Sequence, residues 1–251
     1  VTHVSLELSR DDVIERYLQS MYALYTLPPE IGADNRIKID QGLFSMAHKT
    51  EGNTGYLYDA DVISDTMLSL GRNSYFGKSN LNVKFFPTNT LTVNQLEAYL
   101  DGLYATSGFH TDVLIIDYPD LMQIKDSKNT RLEIGQIYRE IRRIAGERNL
   151  ILIVCTQSNR SGSEANRQEM KHMGEDISKY QTSDICLTWS ATEFEQSIGV
   201  GRLFVAKARK ASDSVECFIS QNLTCGQFHM EDMILNSNTA AIFKDFRSKH
   251  D

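Results

Sequence analysis

The sequence predicts an α/β protein in which a mostly parallel sheet lies between helices. Residues 113–116 (Val-Leu-Ile-Ile) form an apolar run that ends at Asp117. Such a run is typical of a strand buried on both faces of a parallel sheet. Similar runs alternate along the chain with segments of helical periodicity, as parallel sheets require. Residues 201–209 and 214–220 predict two antiparallel strands, so we expect a hairpin at one edge of the sheet.

The first 30 residues predict a strand followed by a helix. Residues 4–7 (Val-Ser-Leu-Glu) form a short strand that ends in Glu7. Ser9 is a good N-cap residue, and Asp12 stands where a capping box places its acidic partner. Apolar residues then recur at helical spacing and predict a buried helix face, which includes Val13, Tyr17, Leu18 and Met21.

The later elements follow from the same patterns. Thr92 can cap one helix, and isoleucines at helical spacing define another. The predicted order is a loop at 49–58, a helix at 59–70, a strand at 81–86, a helix at 92–104, a strand at 113–117, a helix at 130–149, and strands at 150–157 and 184–189 before the hairpin. We expect one domain over residues 1–230, followed by a tail over 231–251.

Composition narrows the class of protein. With 41% apolar and 24% charged residues, the chain resembles soluble globular proteins. No apolar stretch is long enough to span a membrane, so no membrane partner is expected. Three of the four cysteines lie in apolar runs, which predicts buried, reduced thiols in a cytoplasmic protein. A net charge of −7 argues against a protein that coats duplex nucleic acid but allows a local basic groove.

Polar residues end four of the predicted strands. They are the acids Glu7 and Asp117, the amide Gln157, and the cation pair Lys207 and Arg209. Ligands bind beyond the carboxyl ends of strands in open α/β sheets, and these residue types suit phosphate chemistry. Each residue could merely end its strand, but four such ends in one chain favour a nucleotide-hydrolysing site.

These segments resemble the RecA-like C-terminal ATPase domain of DnaB-type replicative helicases. Residues 4–9 and the following helix resemble the segment after the family's second core strand. Residues 115–122 (Ile-Ile-Asp-Tyr-Pro-Asp-Leu-Met) resemble its Walker B strand and turn. Residues 156–161 resemble the end of its sensor strand, and residues 206–210 its Lys-x-Arg segment. The order and spacing of these motifs agree with those of the family from about residue 1 to residue 222. The compactness of the chain resembles that of the family's phage members.

The resemblance implies a role for each residue at a strand end. Glu7 matches the acid that orients or deprotonates the attacking water, and Asp117 matches the Walker B acid that holds Mg²⁺. Gln157 matches the residue that senses the γ-phosphate of ATP. Lys207 and Arg209 match cations that reach the nucleotide of a neighbouring subunit. For these two cations the alternative is a solvated pair on an edge strand.

The resemblance also implies a 5'–3' helicase that forms a hexameric ring and moves on single-stranded DNA. Loops after the Walker B and sensor strands line the channel of such rings, and point charges suit tracking of phosphates. Each cation could equally be an ordinary solvated charge. Primase or a helicase loader is a further implied partner. The cations in these loops are Lys125, Lys128, Arg131, Arg160, Arg167 and Lys171.

The Gly-x-x-x-x-Gly-Lys-Ser/Thr phosphate loop does not occur in the 251 residues. In the family, this loop precedes the strand at which the chain begins, so we expect a chain that starts after the loop. The alternatives are a catalytically silent RecA-like assembly or partner-binding module, and another RecA-like ATPase such as a recombinase or clock-type protein. The tail is either a docking helix or packs on its own domain; its apolar residues are Ile234, Leu235, Ile242, Phe243 and Phe246.

Overall fold

A computed structural model describes residues 1–22, 36–37, 48–49, 81–125, 129–157, 177–197, 199–213 and 215–233. The chain divides into two compact units. The first unit comprises Val1–Glu15, Met67–Asn159 and Met173–Ser183. The second comprises Arg16–Thr66, Arg160–His172 and Asp184–Asp251.

Strands and helices alternate through the first unit, and strands dominate the second. The strands are β1 (Thr2–Ser5), β2 (Arg36–Ile37), β3 (His48–Lys49), β4 (Asn82–Phe85), β5 (Val113–Asp117), β6 (Ile151–Val154), β7 (Ile185–Ser190), β8 (Val200–Ala208), β9 (Val215–Asn222) and β10 (Gln227–Met233). The helices are α1 (Arg10–Tyr22), α2 (Val93–Ser107), α3 (Thr130–Glu147), α4 (Ile177–Thr182) and α5 (Glu193–Ser197). Short 3-10 turns lie at Pro119–Leu121 and Leu223–Cys225.

The first unit contains a four-stranded parallel sheet in the order β4-β1-β5-β6. Its register pairs Ser5 with Asp117 and Ile116 with Val154. One face of the sheet packs against α2 and α3 in a single hydrophobic core, and this burial is its main stabilising contribution. The core residues are Val4, Leu6, Leu91, Val93, Leu96, Leu100, Leu114, Ile116, Met122, Ile137, Tyr138, Ile141, Ile144 and Leu150.

Strand β6 departs from the predicted burial on both faces. Leu152 and Val154 pack against the core, but Ile151 and Ile153 are 63% and 48% exposed. The reason is that side chains alternate along a strand, so Ile151 and Ile153 point to the face opposite the core that α2 and α3 cover. Cys155 follows β6 and is also exposed, so the predicted burial of this thiol is wrong. Cys186 and Cys217 are half-buried.

Both predicted helix caps are confirmed. The Ser9 Oγ accepts the Asp12 backbone N–H at 3.2 Å, and the Asp12 carboxylate accepts the Ser9 N–H at 3.2 Å. Thr92 and Gln95 form the same reciprocal pair, at 3.2 and 2.8 Å. Helix α2 continues past its predicted end and stops at Gly108, whose φ of 67° is the left-handed conformation that glycine adopts readily.

The second unit contains a four-stranded antiparallel sheet in the order β10-β9-β8-β7. The two strands of the predicted hairpin are confirmed as β8 and β9, with Leu203 opposite Cys217, but they belong to this separate sheet and not to an edge of the described parallel sheet. The sequence also predicts strand β7, but it does not predict β10. Its sequence contains no β-branched residue, so it lacks the usual strand signal, and its ladder with β9 holds it in place.

The end of α1 docks on the β9–β10 connection within this unit. Gln19 donates to the Thr224 carbonyl at 2.9 Å, and Gln227 donates to the Ser20 carbonyl at 2.6 Å. Gly226 is required here, since its φ is +67° and a Cβ would lie 2.9 Å from the Ser20 nitrogen. On α1, Val13 is buried as predicted, but Met21 is 42% exposed and does not join the core.

Several expectations fall beyond the described residues. The predicted helix at 59–70, the loop at 49–58 except its first residue, and the tail from 234 lie outside them. Residues 231–233, the start of the predicted tail, belong to β10. In the described part of the chain, no helix is long and apolar enough to cross a membrane.

We expect Gly201→Ala to destabilise the antiparallel sheet by about 1–3 kcal/mol through overpacking. A Cβ at Gly201 would lie 2.5 Å from both the Trp189 Nε1 and the Gln221 Oε1. Gln221 is buried and donates to the Phe228 carbonyl at 2.8 Å, so it does not move aside freely. Urea unfolding followed by fluorescence of Trp189, the single tryptophan, measures the effect.

The matched control for this prediction is Gly102→Ala. Gly102 lies inside α2, and a Cβ there would meet no atom within 4 Å. Alanine in a helix interior is favoured over glycine by about 1 kcal/mol, so this variant should unfold at equal or higher urea concentration. Unchanged stability of Gly201→Ala would contradict the packing argument.

Candidate functional site

The carboxyl ends of β1 and β5 bring two predicted site residues together. Ser5 lies opposite Asp117, and the Leu6 N–H donates to the Asp117 carbonyl at 2.8 Å. Glu7 follows directly, so the backbone places it at the same end of the sheet as Asp117. Glu7 is exposed and Asp117 is half-buried. Both carboxylates therefore remain accessible to solvent.

Tyr118 reports the negative charge at this end of the sheet. Its pKa is raised from 10.0 by burial and then by the carboxylates of Glu7, Asp120 and Asp117. The negative charges of three acids therefore act on the Tyr118 hydroxyl and make its ionisation less favourable. Among the described residues, no group of three or more His, Cys, Asp or Glu side chains is arranged to hold a metal ion.

His3 and Cys155 flank Asp117 and were missed by sequence reasoning. Burial lowers the pKa of His3, and the charge of Asp117 partly opposes that shift. His3 is therefore held mainly neutral near pH 7. Although the residue as a whole is exposed, partial desolvation of its sulfur raises the pKa of the Cys155 thiol, and the charge of Asp117 adds to the shift. The available sequence signal was their position, since His3 lies on β1 and Cys155 directly follows β6, and both strands neighbour β5.

Gln157 lies at the same end of the sheet as the acids. It comes three residues after β6, and the Cys155 N–H donates to the Ile116 carbonyl at 3.2 Å. The Gln157 side chain is exposed. The first unit thus gathers an amide and two carboxylates at the carboxyl ends of three adjacent strands, where ligands of open α/β sheets bind.

A group of four further side chains, the Lys179 network, lies beside these residues. It consists of Asp120, Tyr138, Thr156 and Lys179. The Tyr138 hydroxyl donates to the Asp120 Oδ1 at 2.9 Å, and the Lys179 Nζ forms an ion pair with the Asp120 Oδ2. The Lys179 Nζ also donates to the Thr156 Oγ1 at 3.4 Å. Burial and then Asp120 raise the pKa of Tyr138 far above its usual range.

Sequence reasoning missed this network because its members are far apart in the chain. Asp120 follows β5, Tyr138 lies in α3, Thr156 follows β6, and Lys179 lies in α4. No spacing pattern connects four such residues. The Lys179 side chain is only 13% exposed, and its ammonium lies 5.4 Å from the centre of the Tyr138 ring, within reach of a cation–π interaction.

The predicted trans cations lie in the second unit. Lys207 is half-buried on β8 opposite Cys186, and burial raises the pKa of that thiol while Lys207 lowers it. Arg209 lies one residue past the end of β8, so the predicted strand was one residue too long. The Arg209 Nη1 is 3.1 Å from the Asp184 Oδ1, and the two side chains are 50% and 62% exposed. Strand β8 is an inner strand of its sheet.

Two of the six predicted DNA-binding cations are described. Lys125 is exposed, and its backbone N–H donates to the Glu133 carboxylate at 3.3 Å. Arg131 is exposed in the first turn of α3. The other predicted cations lie outside the described residues; they are Lys128, Arg160, Arg167 and Lys171.

Comparison with known proteins assigns the family. The model of the DnaB-like helicase C-terminal domain matches residues 54–218. The chain belongs to this family. The predicted family is therefore confirmed, and the match includes Asp117, Gln157, Lys207 and Arg209. Glu7 precedes the matched residues. No curated protein sequence matches the chain.

Solved structures of DnaB-like proteins share the fold. One of them is a DnaB-like replicative helicase, whose structure was determined to describe the helicase and its interactions with primase. It aligns with a TM-score of 0.64 and 18% sequence identity, and the alignment covers 92% of this chain and 50% of the helicase chain. The ATPase domain of a second DnaB-like helicase aligns with a TM-score of 0.62 and 16% identity, over 94% of this chain and 75% of its own. This chain thus spans half the length of the first protein. The predicted α/β architecture, with its parallel sheet and antiparallel strands, is confirmed.

Proposed function

We propose that this chain is the motor domain of a replicative DNA helicase that uses ATP to move 5'–3' along single-stranded DNA as a ring. The observation that carries the proposal is the placement of Glu7, Asp117 and Gln157 at one end of the parallel sheet in a DnaB-like domain. An acid for the water, an acid for the metal ion and a sensing amide are the groups that ATP hydrolysis needs there.

Asp117 is the proposed residue for Mg²⁺. The donor set fits this ion, since Glu7 and Asp117 present carboxylate oxygens and the third nearby acid, Asp120, is already held by Lys179 and Tyr138. Mg²⁺ held there would neutralise charge on the phosphates. Glu7 accepts the proton or orients the lone pairs of the attacking water, and its exposure leaves room for that water.

Lys207 and Arg209 are proposed to complete the site of a neighbouring subunit. Side chains at the end of β8 are solvent-accessible, and an arginine supplied in trans stabilises transition-state charge. A hexameric ring places each such pair at an interface. We further propose that Lys125, Lys128, Arg131, Arg160, Arg167 and Lys171 contact the phosphates of single-stranded DNA. Primase or a helicase loader is the proposed protein partner.

A second candidate function is a catalytically silent module that acts by assembly or partner binding. The observation in its favour is the lack of a phosphate-loop pattern in the 251 residues. The retention of Glu7, Asp117, Gln157, Lys207 and Arg209 together argues for the helicase, because a silent module needs no such set.

We predict that the 251-residue chain alone does not hydrolyse ATP. Backbone N–H groups of a phosphate loop normally surround the β- and γ-phosphates, and no such sequence is present. Phosphate release from Mg²⁺-ATP, with the buffer and Asp117→Asn as controls, measures the activity. Turnover that disappears in Asp117→Asn would contradict the prediction and reveal another phosphate site in the chain.

The proposed function is tested with an extended protein, in which a phosphate-binding loop precedes Val1. This extended protein should hydrolyse ATP and unwind a forked duplex that carries a 5' single-stranded tail. A fork with only a 3' tail should remain paired, and Asp117→Asn should abolish both activities. A folded extended protein that neither hydrolyses ATP nor unwinds either fork would favour the silent module.

A further inference from the structure

The Lys179 network connects the turn after β5 with the end of β6. Asp120 lies three residues after Asp117, and Thr156 lies next to Gln157. Lys179 bonds to both Asp120 and Thr156, so one ammonium group links the two chain segments that carry the proposed metal ligand and the proposed sensor. Tyr138 fixes the same carboxylate from α3.

We propose that Lys179 is a positioning residue for ATP hydrolysis, which holds Gln157 at the correct distance from the phosphates bound beside Asp117. This inference rests on the proposed function. Lys179 contacts none of the proposed reacting groups and acts through Asp120 and Thr156. Small displacements of a catalytic group reduce rates strongly, because hydrolysis depends on near-ideal geometry of water, metal ion and phosphate.

Charge in the cluster supports this role. Glu7, Asp117 and Asp120 all act on Tyr118, and within the described part of the chain Asp120 is the one of the three that has a cation and a hydroxyl bound to its two oxygens. The ion pair therefore removes Asp120 from competition for a divalent cation. Asp117 would then be the carboxylate available to hold Mg²⁺ near Gln157.

The rest of α4 is also anchored. At its last residue, the Thr182 carbonyl accepts a hydrogen bond from the Arg142 guanidinium of α3. The Thr182 hydroxyl donates to the Lys179 carbonyl at 2.9 Å, which closes the turn. Lys179 thus projects from a helix that is fixed against α3, and its buried stem has little freedom. A rigid support is what a positioning residue requires.

The experiment compares ATP hydrolysis by variants of the extended protein. Lys179→Met should lower kcat about 10- to 100-fold, the range found when groups behind a metal site are removed, while KM for Mg²⁺-ATP changes less than about threefold. Lys179→Arg keeps the positive charge, but the larger planar guanidinium does not replace a buried ammonium, so it should recover only part of the kcat that Lys179→Met loses. Each measured kcat is divided by the folded fraction of the variant, which thermal unfolding gives, so that a change in rate is distinguished from a change in stability.

Two double variants control for folding. Lys179→Met with Asp120→Asn removes both charges, which avoids an unpaired buried carboxylate and should preserve the fold while kcat stays low. Arg202→Met with Glu195→Gln removes the comparable buried ion pair of the second unit, and kcat should remain that of wild type.

The outcomes separate this inference from the proposed function. If wild type hydrolyses ATP and folded Lys179→Met has the same kcat, the positioning role is wrong and the function stands. Equal losses of kcat in the Lys179 and Arg202 double variants would assign the effect to general stability and overturn the role. If the folded wild-type extended protein does not hydrolyse ATP, the proposed function fails and this inference fails with it.

Discussion

Glu7→Gln in the extended protein should abolish ATP hydrolysis and leave nucleotide binding nearly unchanged. The amide keeps the shape of the carboxylate but cannot accept a proton from water. Loss of a general base costs about 10²- to 10⁴-fold in rate. Glu7 is exposed and follows the register pair of Ser5 and Asp117, so it lies at the same end of the sheet as Asp117, where we propose that the attacking water is activated.

The measurement is a pair of titrations. Steady-state phosphate release gives kcat, and a fluorescent ATP analogue gives the dissociation constant for wild type and Glu7→Gln. The matched control is Glu147→Gln at the end of α3, where the chain enters the opposite end of the parallel sheet. That change should leave both quantities unaltered. If binding and hydrolysis were lost together in Glu7→Gln, Glu7 would be structural and its assignment as the base wrong.

The sequence predicted correctly those elements that are determined by residues close together in the chain. The apolar run that ends at Asp117 is strand β5 as predicted, and the caps at Ser9 and Thr92 form where side chain and backbone are three residues apart. Strand β10 was missed because it is held by its ladder with β9 and not by its own composition.

Other features depend on contacts that no local pattern encodes. The run at β6 predicts burial on both faces, yet Ile151 and Cys155 are exposed because they alternate with the residues that pack on the core and so point to the opposite face. The ends of parallel strands meet by topology, so Glu7, Asp117 and Gln157 could be predicted to share one end. The link through Lys179 could not be predicted, because it depends on how α4 packs against α3.

Arg209→Ala in the extended protein should reduce kcat by about 10³-fold or more, with much less loss of nucleotide affinity. This corresponds to about 4 kcal/mol of transition-state stabilisation. The contact of Arg209 with Asp184 does not oppose the role. An exposed ion pair is worth at most about 1 kcal/mol, so the guanidinium can leave Asp184 for a phosphate at little cost.

Asp184→Asn is the matched control, because it removes the same ion pair and keeps the arginine. If Arg209 served only to pair with Asp184, both variants would behave alike. If Arg209 acts on phosphate, Asp184→Asn should keep wild-type kcat while Arg209→Ala loses it. Steady-state hydrolysis at saturating Mg²⁺-ATP measures the difference.

Mixing Arg209→Ala with Asp117→Asn tests whether the arginine acts on a neighbouring subunit. In a ring, some interfaces of a mixed oligomer combine the intact arginine of an Asp117→Asn subunit with the intact metal ligand of an Arg209→Ala subunit. Those sites are complete, so part of the activity should return. Residues that serve the same subunit's site leave every site defective, and no mixing ratio restores activity. Lack of rescue in mixtures proven to contain mixed oligomers would therefore contradict the trans role, and a fully active monomer would overturn it.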